Sequence, residues 1–355
     1  MPRYYATLEM VKSGSSSNGD SENARILRHL KSASQKIENA LRTTFVPVTE
    51  TRLYRWPPRD RAPRYVLELP RYLVALTTLK TQAQDASPTT IAATDYFLEP
   101  QWGPPYDRIE IDLSSTAAFE SGNTPQRSIS VAGRWGWKED TETGGTVDGS
   151  GLASSSTATS FTCSDSSLIG VGDTLLIESE QVLVTKKTSA ALGSILLNES
   201  GSSVTKDMAD KTVNVDGSHG LVAGEVILVD SERMFIEDIS TNALTVVRAY
   251  DGSALAAHTD DTAVHVYRTL TIVRGVNGTT AATHADTTAI SKYEIPGDIV
   301  QLCLAEAIAG VHNERAGYGR TIGAGESPLE WKGDIIKGLW LDAEKYKRMF
   351  YGAVV

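Results

Sequence analysis

The feature that most constrains the fold of this chain is an internal repeat in its second half. "TVVRAYDGSALAAHTDDTAVHVYR" begins at Thr245 and "TIVRGVNGTTAATHADTTAISKYE" begins at Thr271, so the two copies lie 26 residues apart. A second repeat has twice that spacing, because "GDTLLIESEQVL" at Gly172 matches "GEVILVDSERMF" at Gly224. Matching strand-like segments at a fixed spacing indicate a duplicated β architecture. The sequence therefore predicts a duplicated strand-turn-strand unit followed by a doubled hairpin.

The repeat also carries residues that could form a chemical site. His258 with Asp260 and Asp261, and His284 with Asp286, offer ligands that suit zinc or another divalent ion. The two histidines, however, occupy equivalent places in two copies, and equivalent places in a repeat usually share a structural task. Asp-Gly and Asn-Gly turns stand beside them. We therefore expect four repeat residues to hold turns and predict neither a catalytic residue nor a metal site: Arg248, His258, Arg274 and His284.

Composition and motifs narrow the function further. A net charge of -10 argues against a general nucleic-acid binder, although basic residues cluster near the N-terminus and predict a possible DNA-proximal face at Arg25, Arg28 and Lys31. Cys163 and Cys303, the only cysteines, exclude a disulfide framework and an all-cysteine metal site, and leave open one bridge or two reduced thiols. Nucleophile elbows, Walker loops and dinucleotide fingerprints are missing from the sequence contexts that would give them meaning. The sequence predicts a protein that is not an enzyme and has no cofactor.

Neither a membrane-length apolar run nor a signal-like apolar core is found in the sequence. We therefore expect a chain that is synthesised in the cytoplasm and has no membrane partner.

Periodicity divides the chain into five segments. Residues 1–20 are predicted to be a flexible N-terminal segment, and 21–137 a helix followed by antiparallel strands. A Gly/Ser/Thr linker is predicted at 138–160 and an all-β domain with the internal duplication at 161–294. Residues 295–355 return to helices, one buried and one C-terminal.

Three tryptophans outside the repeat are candidates for contacts between subunits. Large rigid aromatic side chains are enriched in protein interfaces. The predicted subunit interface consists of Trp102, Trp135 and Trp137.

The order of the segments around the repeat resembles the head-to-tail connector (adaptor, head-completion) proteins of tailed phages. The resemblance covers about 24–137 and 295–315. It rests on five stretches in a fixed order: "ILRHLKSASQKIENALRTTFVP" from Ile26, "LELPRYLVALTTLK" from Leu67, "TDYFLEP" from Thr94, "SISVAGRWGW" from Ser128 and "IPGDIVQLCLAEAIA" from Ile295. Compact members of that family run almost directly from the aromatic-Gly strand into the Pro helix, whereas this chain places residues 138–294 between them. The expected fold is thus α+β, with a discontinuous helical connector domain that has a small antiparallel sheet, and an inserted all-β (sandwich or barrel-like) repeat domain.

The resemblance implies a virion protein of the neck, synthesised in the host cytoplasm. It would form a homo-oligomeric ring, expected to be dodecameric, that docks on the portal protein and binds tail or neck (stopper or tail-terminator) proteins. Packaged double-stranded DNA would pass through its lumen without sequence-specific binding. By the same resemblance, the C-terminal helix is the predicted portal contact, through Leu339, Trp340, Ala343 and Phe350.

A second interpretation belongs to a different functional class. In it the chain is a virion decoration protein, or a receptor- or carbohydrate-binding protein, and the β domain is the binding module. The inserted domain could decorate the neck, brace neighbouring subunits or bind host glycans, and the sequence leaves these alternatives open.

Overall fold

The structure, a computed structural model, describes residues 3–57, 63–153, 158–200, 203–317 and 328–348. Strands make up 37% of the chain and helices 22%, so the α+β protein is mostly β, and its sheets are antiparallel. The helices are α1 (Leu8–Ser15), α2 (Asn23–Leu41), α3 (Gly297–Arg315) and α4 (Pro328–Ala343). The strands are β1 (Val48–Tyr54), β2 (Val66–Thr81), β3 (Thr89–Ile91), β4 (Tyr96–Glu99), β5 (Tyr106–Ile111), β6 (Ile129–Trp135), β7 (Thr141–Asp148), β8 (Ser160–Cys163), β9 (Thr174–Ile177), β10 (Glu180–Leu196), β11 (Ser203–Val204), β12 (Thr212–Asn214), β13 (Val226–Val229), β14 (Glu232–Ser240), β15 (Ala243–Val247), β16 (His258–Thr259), β17 (Ala263–Val273) and β18 (Ala289–Tyr293).

The chain forms two compact units, each built from separated segments. The β-ring unit comprises Met1–Ser34, Thr141–Tyr293 and Cys303–Lys332. The small-sheet unit comprises Gln35–Asp140, Glu294–Leu302 and Gly333–Val355. The boundary crosses α2 and α3, so the first part of α2 and most of α3 belong to the β-ring unit. This division differs from the predicted one, which placed both helices entirely with the small sheet.

The small-sheet unit is organised around a six-stranded antiparallel sheet in the order β1-β6-β2-β5-β4, with β3 on β2. Alternation produces its core: in β6 every second residue from Ile129 to Trp135 is buried, as expected for a strand with one face on a core. The core side chains come from strands and loops alike, and they include Trp56, Leu69, Leu73, Ile109, Phe119 and Val131.

The ten-stranded sheet of the β-ring unit closes on itself twice. One closed ring runs β10-β9-β18-β7-β8-β17 and returns to β10, because β10 and β17 also pair from Leu183↔Val273 to Thr188↔Thr269. The second ring uses the other halves of the same two strands with β13, β14, β15 and β12. The bridge Leu197↔Val215 completes it. Each ring has its own core, the first around Cys163, Leu175 and Ile272 and the second around Ile227, Ile236 and Val264.

The two rings are the two copies of the repeat, and one copy is nested in the other. The second ring is continuous along the chain, whereas the first is assembled from strands on both sides of it in sequence. The predicted duplication is therefore present, but the order of its parts is different. The complete second ring is inserted into the first, after the first half of β10 and before the second half of β17.

The N-terminal segment departs from its prediction as a flexible lead-in. Thr7 caps α1 by accepting a hydrogen bond from the Met10 amide at 3.3 Å, and Leu8 and Val11 are buried. The Leu8 amide donates to the Val171 carbonyl at 2.9 Å, and the Val171 amide donates to the Glu9 carboxylate at 2.9 Å. Ser, Gly and Asn predict loops, but burial of the apolar residues before them orders this segment.

The predicted linker at 138–160 is also structured where it is described. Residues 141–148 form β7, which pairs with β18 in register Thr141↔Tyr293. The first and last residues of the β insert therefore lie side by side. The prediction of an insertion with both ends at one point of the fold is consistent with this pairing.

Candidate functional site

The Arg and His residues of the repeat lie around two buried glutamates. In the second ring, Arg248 donates to Glu232 through Nε–Oε1 at 2.8 Å and Nη2–Oε2 at 2.9 Å. The amides of Ala249 and Ala256 donate to the same carboxylate at 2.8 and 3.0 Å. The carboxylate thus fixes both ends of the loop that follows β15.

The first ring repeats this arrangement around Glu180. Arg274 donates to it through Nε at 2.9 Å and Nη2 at 2.6 Å. The amides of Gly275 and Ala282 donate at 3.1 and 2.9 Å. The bonded Glu and Arg are 94 residues apart here and 16 apart in the second ring, because the second ring is inserted between them.

Each histidine of the repeat lies between two carboxylates. His258 contacts Asp230 through Nδ1 at 2.8 Å and Glu232 through Nε2 at 2.9 Å. His284 contacts Glu178 and Glu180 at the same two distances. Both ring nitrogens of each histidine are therefore engaged by carboxylate oxygens, which fixes the orientation of the imidazole. The expectation that these residues hold turns agrees with the contacts observed.

The buried glutamates are ionised by their partners. Burial alone would raise the pKa of Glu232, but hydrogen bonds from Arg248 and the Ala256 and Ala249 amides outweigh it and lower the pKa to about 2. For Glu180, burial is outweighed by Arg274, the Ala282 amide and His284, and its pKa is again about 2. These carboxylates serve as fixed anions, since every lone pair that faces the loop is occupied.

Sequence reasoning missed both glutamates. It matched "ESEQVL" with "DSERMF" as parts of a duplicated strand-turn-strand unit and assigned no role to the Glu in either. A signal was present, because the two glutamates fall at the same place of the 52-residue repeat, as the arginines and histidines do in the 26-residue repeat. The structure gives no support to the alternative of metal binding, because within the described ranges no three His, Cys, Asp or Glu side chains form a group that could hold a metal ion.

The predicted tryptophan interface divides into three different environments. Trp102 is 84% exposed, Trp137 is half-buried, and Trp135 is 1% exposed. The Trp135 indole donates to the Glu50 carbonyl at 3.0 Å, and the Arg52 guanidinium lies over its ring. Trp135 belongs to the core of the small sheet and has no surface to offer a second copy. A count of tryptophans does not reveal which face of β6 each one occupies.

The predicted basic face on α2 is largely compensated. Arg25 lies 2.6 Å from Glu22 and 3.4 Å from Glu314, and Arg28 lies 2.5 Å from Glu314. Lys31 is exposed. Two of the three predicted DNA-proximal residues therefore have carboxylate partners, on α3 or just before α2.

Burial reduces the accessible part of the predicted portal contact on α4. Ala343 is fully buried, Leu339 and Trp340 are half-buried, and Phe350 lies outside the described residues. Among the side chains of α4 that the structure describes, at 334–343, the exposed large apolar ones are Ile335, at 51%, and Leu341, at 69%. After α4, Arg348 donates to the Leu69 carbonyl at 3.0 Å, so this end of the chain is part of the small-sheet unit.

The strongest candidate for a contact surface is the hairpin formed by β4 and β5. It forms one edge of the small sheet. Three large apolar side chains are exposed here, in β4, in the turn and two residues after β5: Phe97 at 54%, Trp102 at 84% and Leu113 at 72%. Exposed apolar residues are ordinary when scattered, but three in and beside one edge hairpin are typical of an interaction surface. We refer to these three residues as the apolar edge.

Comparison with known proteins gives no relative: no family model, no curated protein and no solved structure matches the chain. None of the helices in the described ranges has the length and apolar content needed to cross a bilayer.

Proposed function

We propose that this chain is a structural virion protein, a subunit of a ring-shaped head-to-tail connector that docks on the portal, continues the DNA channel and provides a tail attachment surface. The single observation that carries the proposal is the apolar edge of the small-sheet unit. Phe97, Trp102 and Leu113 are exposed to water in and just after the hairpin at the edge of a sheet. Such a surface is stabilised by contact with another protein.

The edge position fits a ring. A closed ring of identical subunits requires a heterologous contact, in which two different surfaces of neighbouring copies meet. The small sheet has two edges that differ, β4 on one side and β1 on the other. Strand β1 exposes Thr49, Glu50 and Thr51, as well as Leu53 at 44%. In the proposed ring, the apolar edge of each subunit packs against the β1 side of the next.

The insert supports a structural function in a second way. The chemical groups that recur in its two copies are engaged in holding loops, since Glu180 and Glu232 are contacted by arginine, amide and histidine nitrogens. Its ends are adjacent in β7 and β18, which lets a connector fold accept it without rearranging the chain on either side.

The charge of the chain suits a channel through which DNA moves. With a net charge of -10, a subunit does not neutralise phosphates strongly, and neutralised phosphates would hold the DNA in place. The compensation of Arg25 and Arg28 by Glu22 and Glu314 acts in the same direction.

For the portal contact we propose the exposed side of α4. Removing residues 334–355 would be a poor test, because Tyr346 and Arg348 are bonded to Thr43 and Leu69 and their loss would disturb the small sheet. The substitution Leu341→Ser removes an exposed apolar side chain instead. It should weaken binding to purified portal without loss of folding, whereas Lys337→Ser, at an exposed position on the same helix, should not. Unchanged portal binding by Leu341→Ser would exclude this face of α4.

The subunit contact is tested by the oligomeric state. Trp102→Ser combined with Leu113→Ser should convert rings to smaller species in sedimentation velocity, while Met208→Ser, at an exposed apolar residue of the β-ring unit, should leave the rings intact. Rings that persist in the double variant would contradict a contact through the apolar edge.

A further inference from the structure

The β-ring unit contains an open groove of about 830 Å³ that the proposed connector function does not use. One wall is α1, the loop after it and the start of α2. The other wall is formed by β10, β14, β17 and the turn after Arg248. A volume of this size is in the range of small-molecule sites.

The nested repeat provides an internal comparison for this groove. Three of its lining residues, Arg233, Asp251 and Tyr267, have counterparts in the other copy at Gln181, Asn277 and Tyr293. The contacts correspond as well. Arg233 donates to Asp251 at 2.6 Å and lies over the ring of Tyr267.

In the other copy the three side chains at these positions are neutral and closed off from water, and the Arg3 guanidinium donates to the Asn277 carboxamide oxygen at 3.3 Å. Asn277 donates to Gln181 at 2.8 Å, and Gln181 donates to the Tyr293 hydroxyl at 3.1 Å. All three side chains are buried, at 8%, 1% and 5% exposure. A neutral, closed trio is therefore sufficient to build this part of the ring. The presence of charged side chains at these positions beside an open groove therefore needs an explanation other than the architecture of the ring.

The backbone adds to this contrast. Ala249 adopts a positive φ angle of 51°, whereas its counterpart in the other copy is Gly275, which adopts φ 57° at no steric cost. The positive φ of Asp251, 51°, is shared by its counterpart Asn277, at 54°, so Ala249 alone differs between the copies in this respect. A non-glycine residue in this conformation is strained, and such strain is found preferentially at functional sites. The turn that carries Asp251 into the groove thus contains one strained position that the other copy lacks.

From this comparison we propose that the groove binds an oligosaccharide. Sugars present apolar C–H faces together with many hydroxyl groups that both donate and accept. The groove offers two aromatic rings, Tyr250 and Tyr267, beside carboxylate, carboxamide and hydroxyl groups from Asp20, Asn18 and Thr188. It also contains an acceptor that needs a donor: Oδ1 of Asn23 is buried and has no hydrogen-bond partner among the described residues.

The polar groups are already held in place. Lys12 lies 2.9 Å from Asp251, and Arg233 lies 2.8 Å from Asp20, so the four side chains form one network across the groove. The Asp20 pKa is lowered by its hydrogen bond with Arg233, which keeps the carboxylate available as an acceptor. Groups fixed in advance lose little conformational entropy when a ligand binds.

The same network disfavours a phosphate ligand. Lys12 and Arg233 are compensated by carboxylates, and Lys187 donates to the carbonyls of Ser166 and Ile169 at 3.0 and 2.6 Å. Lys186 also lines the groove and is exposed, so one lysine stands outside the network. Phosphate sites instead depend on uncompensated cations or on clustered backbone amides. A sugar needs directional hydrogen bonds without net charge, and this is what the network supplies.

The test uses the full-length chain on a printed array of bacterial-surface and mammalian oligosaccharides, followed by titration calorimetry with the strongest ligand. The key variant is Arg233→Gln with Asp251→Asn, which installs the neutral pair of the other copy and should fold for that reason. We expect it to raise the Kd at least about tenfold. Asn23→Leu, which removes the unpaired acceptor, should also weaken binding, and Lys206→Ala, at an exposed lysine of the same unit that does not line the groove, should not.

Thermal melts of each variant separate lost binding from lost folding. The proposal is overturned if no oligosaccharide on the array binds, if the groove variants that melt like the wild type bind with unchanged Kd, or if pyrophosphate binds the groove and sugars do not. Sugar binding can be tested separately from the assembly of subunits into a ring-shaped oligomer, because every residue that lines the groove lies in the β-ring unit and the apolar edge lies in the small-sheet unit.

Discussion

Arg248 holds Glu232 by two parallel hydrogen bonds, and neither side chain has any exposed surface. Arg274 and Glu180 form the equivalent pair in the other ring. These pairs explain why Arg and His recur at equivalent places of the sequence: in each ring an arginine compensates a buried glutamate, and a histidine contacts the same carboxylate.

Neutralising one member of such a pair should be costly. Glu232→Gln leaves the buried guanidinium of Arg248 without its counter-charge, and breaking a buried pair in this way costs about 3 to 5 kcal/mol. Urea unfolding at pH 7 measures the loss. Glu237→Gln, at an exposed residue of the same strand, is the matched control and should leave the free energy of unfolding unchanged. Equal stability of the two variants would mean that the pair is not a structural element.

The low pKa of the two glutamates gives the stability a defined pH dependence. Because their pKa in the folded protein is about 2, against an ordinary 4.5, the stabilisation is complete above pH 4.5 and is lost as pH falls toward 2. Urea unfolding at a series of pH values should show this decline. A variant with glutamine at both positions should have a shallower decline, and an equally steep one would show that other groups cause it.

Asp173 should have the opposite dependence. Burial raises its pKa from 3.8 to about 6, so the folded state binds a proton more tightly than the unfolded state does. Its favourable contribution is complete below pH 3.8 and is lost as pH rises through 6. Asp173→Asn can still accept the hydrogen bond from the Gly170 amide, which is 2.8 Å long. The variant should therefore be more stable than the wild type at pH 7.5 and no more stable at pH 3.5; lower stability at pH 7.5 would contradict the shift.

Truncation of two tryptophans of the small-sheet unit should change the stability by very different amounts. Trp135→Ala removes a side chain that is 1% exposed and should cost about 3 to 5 kcal/mol in urea unfolding of the chain. Trp102→Ala removes one that is 84% exposed and should change the stability of the isolated chain by less than about 0.5 kcal/mol. The contrast is lost if Trp102→Ala destabilises the isolated chain as much as Trp135→Ala.

Local patterns predicted much of this architecture. The periodicity of Ile26, Leu30 and Ile37 gave α2, and the alternation in "RIEIDL" gave β5, because burial of one face imposes these periods directly. The role of Arg248 and His258 in holding a turn followed from their equivalence to Arg274 and His284.

Other features depended on contacts that no local pattern records. A spacing of 26 or 52 residues is the same whether repeats are tandem or nested, so the insertion of one ring in the other could not be inferred from "VVRAYDGS" and "IVRGVNGT". Glu180 and Glu232 resembled surface residues because burial of a charge depends on an arginine that is distant in sequence. The order of residues 7–15 arises from packing of Leu8 and Val11, which Ser and Gly propensities do not express.

The proposed connector function is tested most directly by electron microscopy of the purified full-length protein in negative stain, alone and mixed with the portal protein of the same phage. The proposal predicts closed rings, expected to have twelve subunits, that cap the portal coaxially and that are lost in the Trp102→Ser, Leu113→Ser double variant. A chain that remains monomeric at high concentration and leaves the portal bare would contradict it.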